Sequence, residues 1–240
     1  EIPLRLVGSE MCIRDSSISL PEKRKMEYKT YLFDFDYTLA DSSRGIVICF
    51  RNVLTRHGHT DITDESIKRT IGKTLEDSFS ILTGITDKNT LISYKKEYVK
   101  EADIHMTANT KFFPETVAVL KALKKRGAQI GIISTKYRYR IHEMVDQHFP
   151  NKFFDIIIGG EDVKKAKPSP QGLLKALRCL HRKKKDTLYI GDSIIDAQTA
   201  LLAGVDFVGV LNGMTTREEL AEYRHRQILP DLTPVSYTHL

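Results

Sequence analysis

The sequence predicts an α/β fold: a parallel sheet covered by helices on both faces, with an all-helical block inserted after the first strand. Three observations predict it. Residues 30–35 form a short apolar run rich in Tyr, Leu and Phe, as a buried strand requires, and it gives out at Asp34 and Asp36. Residues 43–104 carry only helical periods. From Pro114 onward, apolar strand runs and amphipathic helix runs alternate at short spacing.

Taken in order, residues 1–25 hold no sustained period. Residues 11–16 (Met-Cys-Ile-Arg-Asp-Ser) and 234–240 resemble translated adapter or vector sequence. The expectation is a non-native leader at 1–25, a native start at Met26 and a non-native tail at 234–240. The core is then expected over 26–41 and 113–233, with the helical block over 42–112.

Within the block, 43–58 reads as a helix with Ile46, Phe50, Val53 and Leu54 on one face and Gly58 as its stop. Asp64 is expected to cap a short helix ending near Gly72, and 76–82 and 88–104 are two further helices. In the alternating half, 115–127 is a helix with Val117, Leu120 and Leu123 inward. Strands follow at 129–134, 154–158, 187–190 and 207–210, and helices at 137–148, 170–180 and 194–203. No internal repeat or low-complexity linker interrupts them.

The chain has 240 residues, 41% hydrophobic and 28% charged, the profile of an ordinary globular protein. Its formal charge of +6 sits in short runs such as Lys124-Lys125-Arg126 and Arg182-Lys183-Lys184-Lys185. These fall at the ends of expected helices and lack interleaved aromatics, so they read as solvated faces complementing helix dipoles and not as a nucleic-acid surface. The three cysteines, Cys12, Cys49 and Cys179, form no CxxC pair or metal-ligand spacing, which fits a reducing cytoplasm. No apolar run reaches membrane-spanning length and no signal peptide is visible, so no membrane partner is expected.

The chemistry gathers at strand ends, the edge where open α/β sheets bind ligands. Asp34 and Asp36, two apart, could share one metal ion or divide the roles of nucleophile and acid/base. The second strand ends at Ser134-Thr135. The third leads through Gly159-Gly160-Glu161-Asp162 to Lys167-Pro168, and the fourth ends at Gly191-Asp192-Ser193, with Asp196 on the next helix. Alone, each has a bland reading as a turn hydroxyl, a surface lysine or a helix-start acid. Together they make a site for a metal and a phosphate. Carboxylates such as Asp34 and Asp192 suit Mg2+, while Lys167, the Ser134 hydroxyl and backbone amides can neutralise a transferring phosphoryl group.

Asp34-Phe-Asp36-Tyr-Thr38, Ser134, Lys167-Pro168 and Gly191-Asp192-Ser193-Ile-Ile-Asp196 resemble, as a set, the four motifs of the haloacid dehalogenase superfamily. The helical insertion resembles the C1 cap of its phosphoglycolate phosphatase-like branch. The resemblance implies a Rossmann-like core with an inserted cap, and a Mg2+-dependent phosphatase acting on a small phosphorylated metabolite such as phosphoglycolate, pyrophosphate or a sugar phosphate. By the same resemblance Asp34 attacks phosphorus, and Asp36 protonates the leaving oxygen and then activates water. Thr38, Ser134, Thr135 and Lys167 hold the phosphoryl group. Asp34, the Asp36 carbonyl and Asp192 hold the metal, with Asp196 binding it or orienting its water. Lys73, in the place of the family's specificity loop, and Arg44 are the implied cap contacts to a second anionic group on the substrate.

Two departures concern pocket shape: Tyr37 replaces the commoner glycine, and Thr135 an asparagine often found there. The alternatives are a sugar-phosphate mutase on the same core, a phosphoaccepting signalling domain and a basic nucleic-acid module. The large insertion and Asp36 weigh against the signalling domain. The sequence leaves the oligomeric state open.

Overall fold

The structure, a computed structural model, describes residues 28–236. The expected leader, the start at Met26 and residues 237–240 lie outside them. The chain opens with β1 (Thr30–Phe33) and a two-residue strand, β2 (Ala40–Asp41). Four helices follow: α1 (Ser43–Arg56), α2 (Asp64–Lys68), α3 (Leu75–Thr83) and α4 (Lys88–His105). A second two-residue strand, β3 (Lys111–Phe112), leads back to the sheet. Then come α5 (Thr116–Lys125), β4 (Gln129–Ile133), α6 (Arg138–His148), β5 (Ile156–Ile158), α7 (Gln171–Cys179), β6 (Thr187–Gly191) and α8 (Ile194–Ala203). The chain continues through β7 (Asp206–Val210), α9 (Arg217–Ala221) and β8 (Gln227–Leu229) to a 3-10 turn at Thr233–Ser236.

The six main strands form one parallel sheet in the order β5-β4-β1-β6-β7-β8. β1 lies inside it, with Thr30 opposite both Gln129 and Thr187. Strand alternation divides its side chains between two cores. Tyr31 and Phe33 join Leu120, Leu123, Ile141 and Val145 on one face. Leu32 joins Leu173, Ala176, Ala197 and Ala200 on the other. Both faces being buried explains why the strands read as apolar runs without alternation.

The helical block has its own core, in which Phe50, Val53 and Leu54 of α1 pack against Phe79 of α3 and Tyr94 and Tyr98 of α4. Phe50 lies 4.6 Å from Phe79 and 4.8 Å from Tyr98, ring to ring. The chain enters and leaves the block through antiparallel pairing of β2 with β3, Ala40 opposite Phe112 and Asp41 opposite Lys111.

Several expectations need correction. Thr63, not Asp64, caps α2: its hydroxyl accepts from Ser66 N, and the helix ends at Lys68, well before Gly72. The strand expected at 154–158 is only Ile156–Ile158, because Phe154 leaves the strand to pack against Phe149 and Phe153. On α5 Val119 is buried and Val117 only half-buried. Of the residues expected as a non-native tail, 234–236 are described, and Val235 among them is fully buried in the core beneath α5. The short α9, β8 and the β2–β3 pair carry too few residues to show a period.

Candidate active site

β1 ends at Phe33, and the backbone then turns tightly. Asp34 N still donates to Ile190 O at 2.9 Å, so the first carboxylate is pinned to the sheet edge. Phe35 O accepts from the amides of Leu39 and Ala40, closing the loop that holds Asp36, Tyr37 and Thr38. Tyr37 sits at φ 59°, the left-handed region that favours glycine, which is the physical meaning of the glycine expected there.

Asp34, Asp192 and Asp196 bring one carboxylate oxygen each to within 4.8 Å of one another, all buried. Lys167 Nζ enters this cluster, 2.8 Å from Asp34 Oδ1 and 2.7 Å from Asp196 Oδ1. Burial pushes the Asp34 carboxyl up to about 7, against the pull of Lys167, and the Asp196 charge adds to the rise. Burial and then the Asp196 and Asp34 charges lift Asp192 well above the usual carboxylate range. Burial opposes the Lys167 charge, yet Asp196 and Asp34 outweigh it and hold the ammonium above its ordinary range. Three carboxylates against one ammonium leave an excess of buried negative charge that a hard divalent cation would relieve, and the donors are all oxygen.

The members differ in what they have left to offer. Asp196 Oδ1 accepts from Lys167 Nζ (2.7 Å) and Tyr189 Oη (2.8 Å), and Oδ2 from Ser193 Oγ (2.6 Å) and Ser193 N (3.3 Å). Both oxygens of Asp196 are thus engaged and the residue is fully buried, so it holds Lys167 in place within the cluster. Among the described residues Asp34 Oδ1 has the nearby Lys167 charge but no well-directed hydrogen bond, and Asp192 accepts only from Thr38 Oγ1, at 3.2 Å. These two fit a metal.

The other expected residues fall out unevenly. Ser134 is buried at the sheet edge, its hydroxyl accepting from Lys136 N at 3.2 Å with its own proton still to give. Thr38 is fully buried, and its hydroxyl donates to Asp192 Oδ1 at 3.2 Å. Thr135 Oγ1 donates to Gly72 O at 3.2 Å, tying the sheet edge to the helical block. The Asp36 carboxylate is not one of the three in the cluster, and Lys136 Nζ lies 3.1 Å from its Oδ1. Asp36 and Lys136 border a cavity of about 470 Å³ between the sheet edge and the helical block. Lys73 lines this cavity; Arg44 is exposed and does not.

Sequence reasoning missed three contributors. Lys136 follows the Ser134-Thr135 pair as one more surface-type lysine. Tyr189, fully buried mid-strand, announces itself only as a hydroxyl inside an apolar run. Gly213 packs so closely on Asp192 that a Cβ there would overlap Asp192 Oδ2, an approach that only the fold reveals.

A family model for haloacid dehalogenase-like hydrolases matches residues 31–210. A pyrophosphatase PpaX from Anoxybacillus flavithermus is 30% identical over 198 residues, 82% of this chain and 90% of its own length. A crystal structure described as a candidate haloacid dehalogenase-like hydrolase from Bacteroides fragilis is 60% identical, with a TM-score of 0.86, covering 87% of this chain and all (100%) of the other. One described as a candidate phosphoglycolate phosphatase from Lactobacillus plantarum shares the fold at 22% identity and TM-score 0.75, over 88% of this chain and 98% of the other. The chain belongs to the haloacid dehalogenase-like hydrolases.

Proposed function

We propose that this hydrolase is a Mg2+-dependent phosphatase that cleaves a small phosphorylated substrate through an aspartyl-phosphate on Asp34. The observation that carries the reading is the placing of Asp34: buried at the sheet edge, beside Lys167 at 2.8 Å and within the Asp192 cluster. An Asp34 oxygen attacks phosphorus as the bond to the leaving oxygen breaks, and Asp36 supplies the proton that oxygen needs. Asp36 then takes a proton from the water that attacks the phospho-aspartate, releasing inorganic phosphate and restoring Asp34. Lys167 and the Ser134 hydroxyl offset charge on the phosphoryl oxygens. Mg2+ held by Asp34, Asp192 and the Asp36 carbonyl would neutralise phosphoryl charge and allow two anions to meet.

The helical block, spanning about 42–112, acts as the cap. Its separate core and the β2–β3 stem support this role, as does its place over the cavity that Asp36 borders. The PpaX relatives bring pyrophosphate forward as a substrate, and the Lactobacillus plantarum neighbour brings phosphoglycolate. Phosphate release across phosphorylated metabolites tests the reading. Chelation should abolish it, and Mg2+ should restore it better than Ca2+, whose larger and looser coordination misplaces the nucleophile. Full activity in chelator would overturn it.

A further inference from the structure

We infer, on the basis of the phosphatase reading, that the preferred substrate is a phosphomonoester whose alcohol carries an apolar ring, and not pyrophosphate or a two-carbon phosphate. The cavity beside Asp36 has about 470 Å³, within the range of roughly 300–1,000 Å³ that takes ligands of drug-like size. A nine-atom pyrophosphate fills only part of it.

The lining is the second argument. On the side of the helical block Phe50, Tyr98, Val99 and Met106 face the cavity, and Tyr137 and Tyr139, stacked at 5.9 Å, close it from the sheet edge. Pyrophosphate would leave these apolar surfaces wet and would exchange its own hydration for few partners. A flat ring would cover them, and rings favour such aromatic walls.

The polar groups are the third. Most of the cations around the cavity are already matched. Lys95 pairs with Glu76 at 2.7 Å, Arg140 with Asp103 and Glu143, and Lys136 with Asp36 at 3.1 Å. Lys73 and Lys164 have no acidic partner among the described residues, enough for one further anionic or carbonyl group. Tyr98 is only 7% exposed, and its hydroxyl has no hydrogen-bond partner among the described residues. A hydroxyl that opens on the cavity without a protein partner is free to hydrogen-bond a ligand atom. An apolar ring bearing a polar substituent matches both features.

The test compares kcat/KM with Mg2+ for nucleoside 5′-monophosphates, pyrophosphate, 2-phosphoglycolate and p-nitrophenyl phosphate. It is run on the wild type, on Val99→Trp, which fills the cavity, and on Tyr98→Phe, which removes only the hydroxyl. Wild type should prefer at least one nucleoside 5′-monophosphate over pyrophosphate and 2-phosphoglycolate by about tenfold or more. Val99→Trp should lower that ratio at least tenfold. Tyr98→Phe, which keeps the test alive if the tryptophan variant does not fold, should lower it about two- to tenfold, the worth of one net hydrogen bond. Preference for pyrophosphate or 2-phosphoglycolate, or a ratio unmoved by both variants, would overturn the inference and leave the phosphatase reading standing. No phosphate from any of the four would overturn both.

Discussion

Lys167 Nζ lies 2.7 Å from Asp196 Oδ1, sealed from solvent, and through this contact Asp196 aims the ammonium at Asp34. An amide at 196 keeps the shape and loses the charge that holds Lys167 in place. Asp196→Asn should therefore lower kcat by about 10²-fold or more, in the range of lost transition-state charge stabilisation, and destabilise the fold by about 3 kcal/mol. Steady-state kinetics and a urea melt check this together. A variant with wild-type kcat would remove Asp196 from the account.

Gly213 concerns the metal side of the site. A methyl there would press on Asp192 Oδ2, so Gly213→Ala should displace that carboxylate. The Mg2+ concentration for half-maximal activity should rise about 10- to 100-fold, as when other groups that orient a ligand are disturbed. An unchanged Mg2+ requirement would mean that Asp192 does not hold the ion.

Lys73 lines the cavity half-buried and without an acidic partner among the described residues, whereas Arg44 is exposed and away from it. Lys73→Ala should raise KM for substrates with a second anionic group by about three- to tenfold, a charge-assisted contact discounted for partial exposure. p-Nitrophenyl phosphate should be affected less, and Arg44→Ala should spare both. Equal effects of Lys73→Ala on both substrates would assign the lysine to solvent.

Asp206 fastens the far edge of the sheet, accepting from Tyr28 Oη at 3.0 Å and from Arg226 Nη2 at 2.8 Å. Burial alone would raise its carboxyl, but these bonds outweigh burial and hold it below the ordinary carboxylate range. A depressed folded-state value means the group stabilises fully above the unfolded value, near pH ~4, and loses that contribution as pH falls through the folded value. Wild type should thus have a higher urea midpoint than Asp206→Asn at pH 7, with the gap narrowing toward pH 3. A gap independent of pH would contradict the pairing.

The sheet was legible because its strands are buried on both faces and its helices keep one apolar stripe, as with Leu120 and Leu123 of α5. The motif residues were legible because their types recur at successive strand ends. What each does with its hydrogen bonds was not. Thr38 donates to Asp192 and Thr135 to Gly72 O, partners distant in sequence that no local pattern names. Nor could the sequence show that Tyr189, Lys167 and Ser193 hydrogen-bond both oxygens of Asp196, which sits with Asp34 and Asp192 in the carboxylate cluster. Lys136 could not be singled out, because its meaning lies in one 3.1 Å approach to Asp36 across 100 residues (136 − 36). The burial of Val235 was illegible for a different reason: residues 234–236 are too few to carry a period, yet one fills the space beneath α5.

The most direct measurement is Mg2+-dependent release of inorganic phosphate by wild type and by Asp34→Asn, with thermal melts run in parallel. The account predicts turnover by wild type, none detectable from Asp34→Asn, and a melting temperature for the variant no lower than that of wild type, because the amide removes a carboxylate whose burial pushes its pKa up. Substantial phosphate release by a folded Asp34→Asn would contradict the covalent role of Asp34.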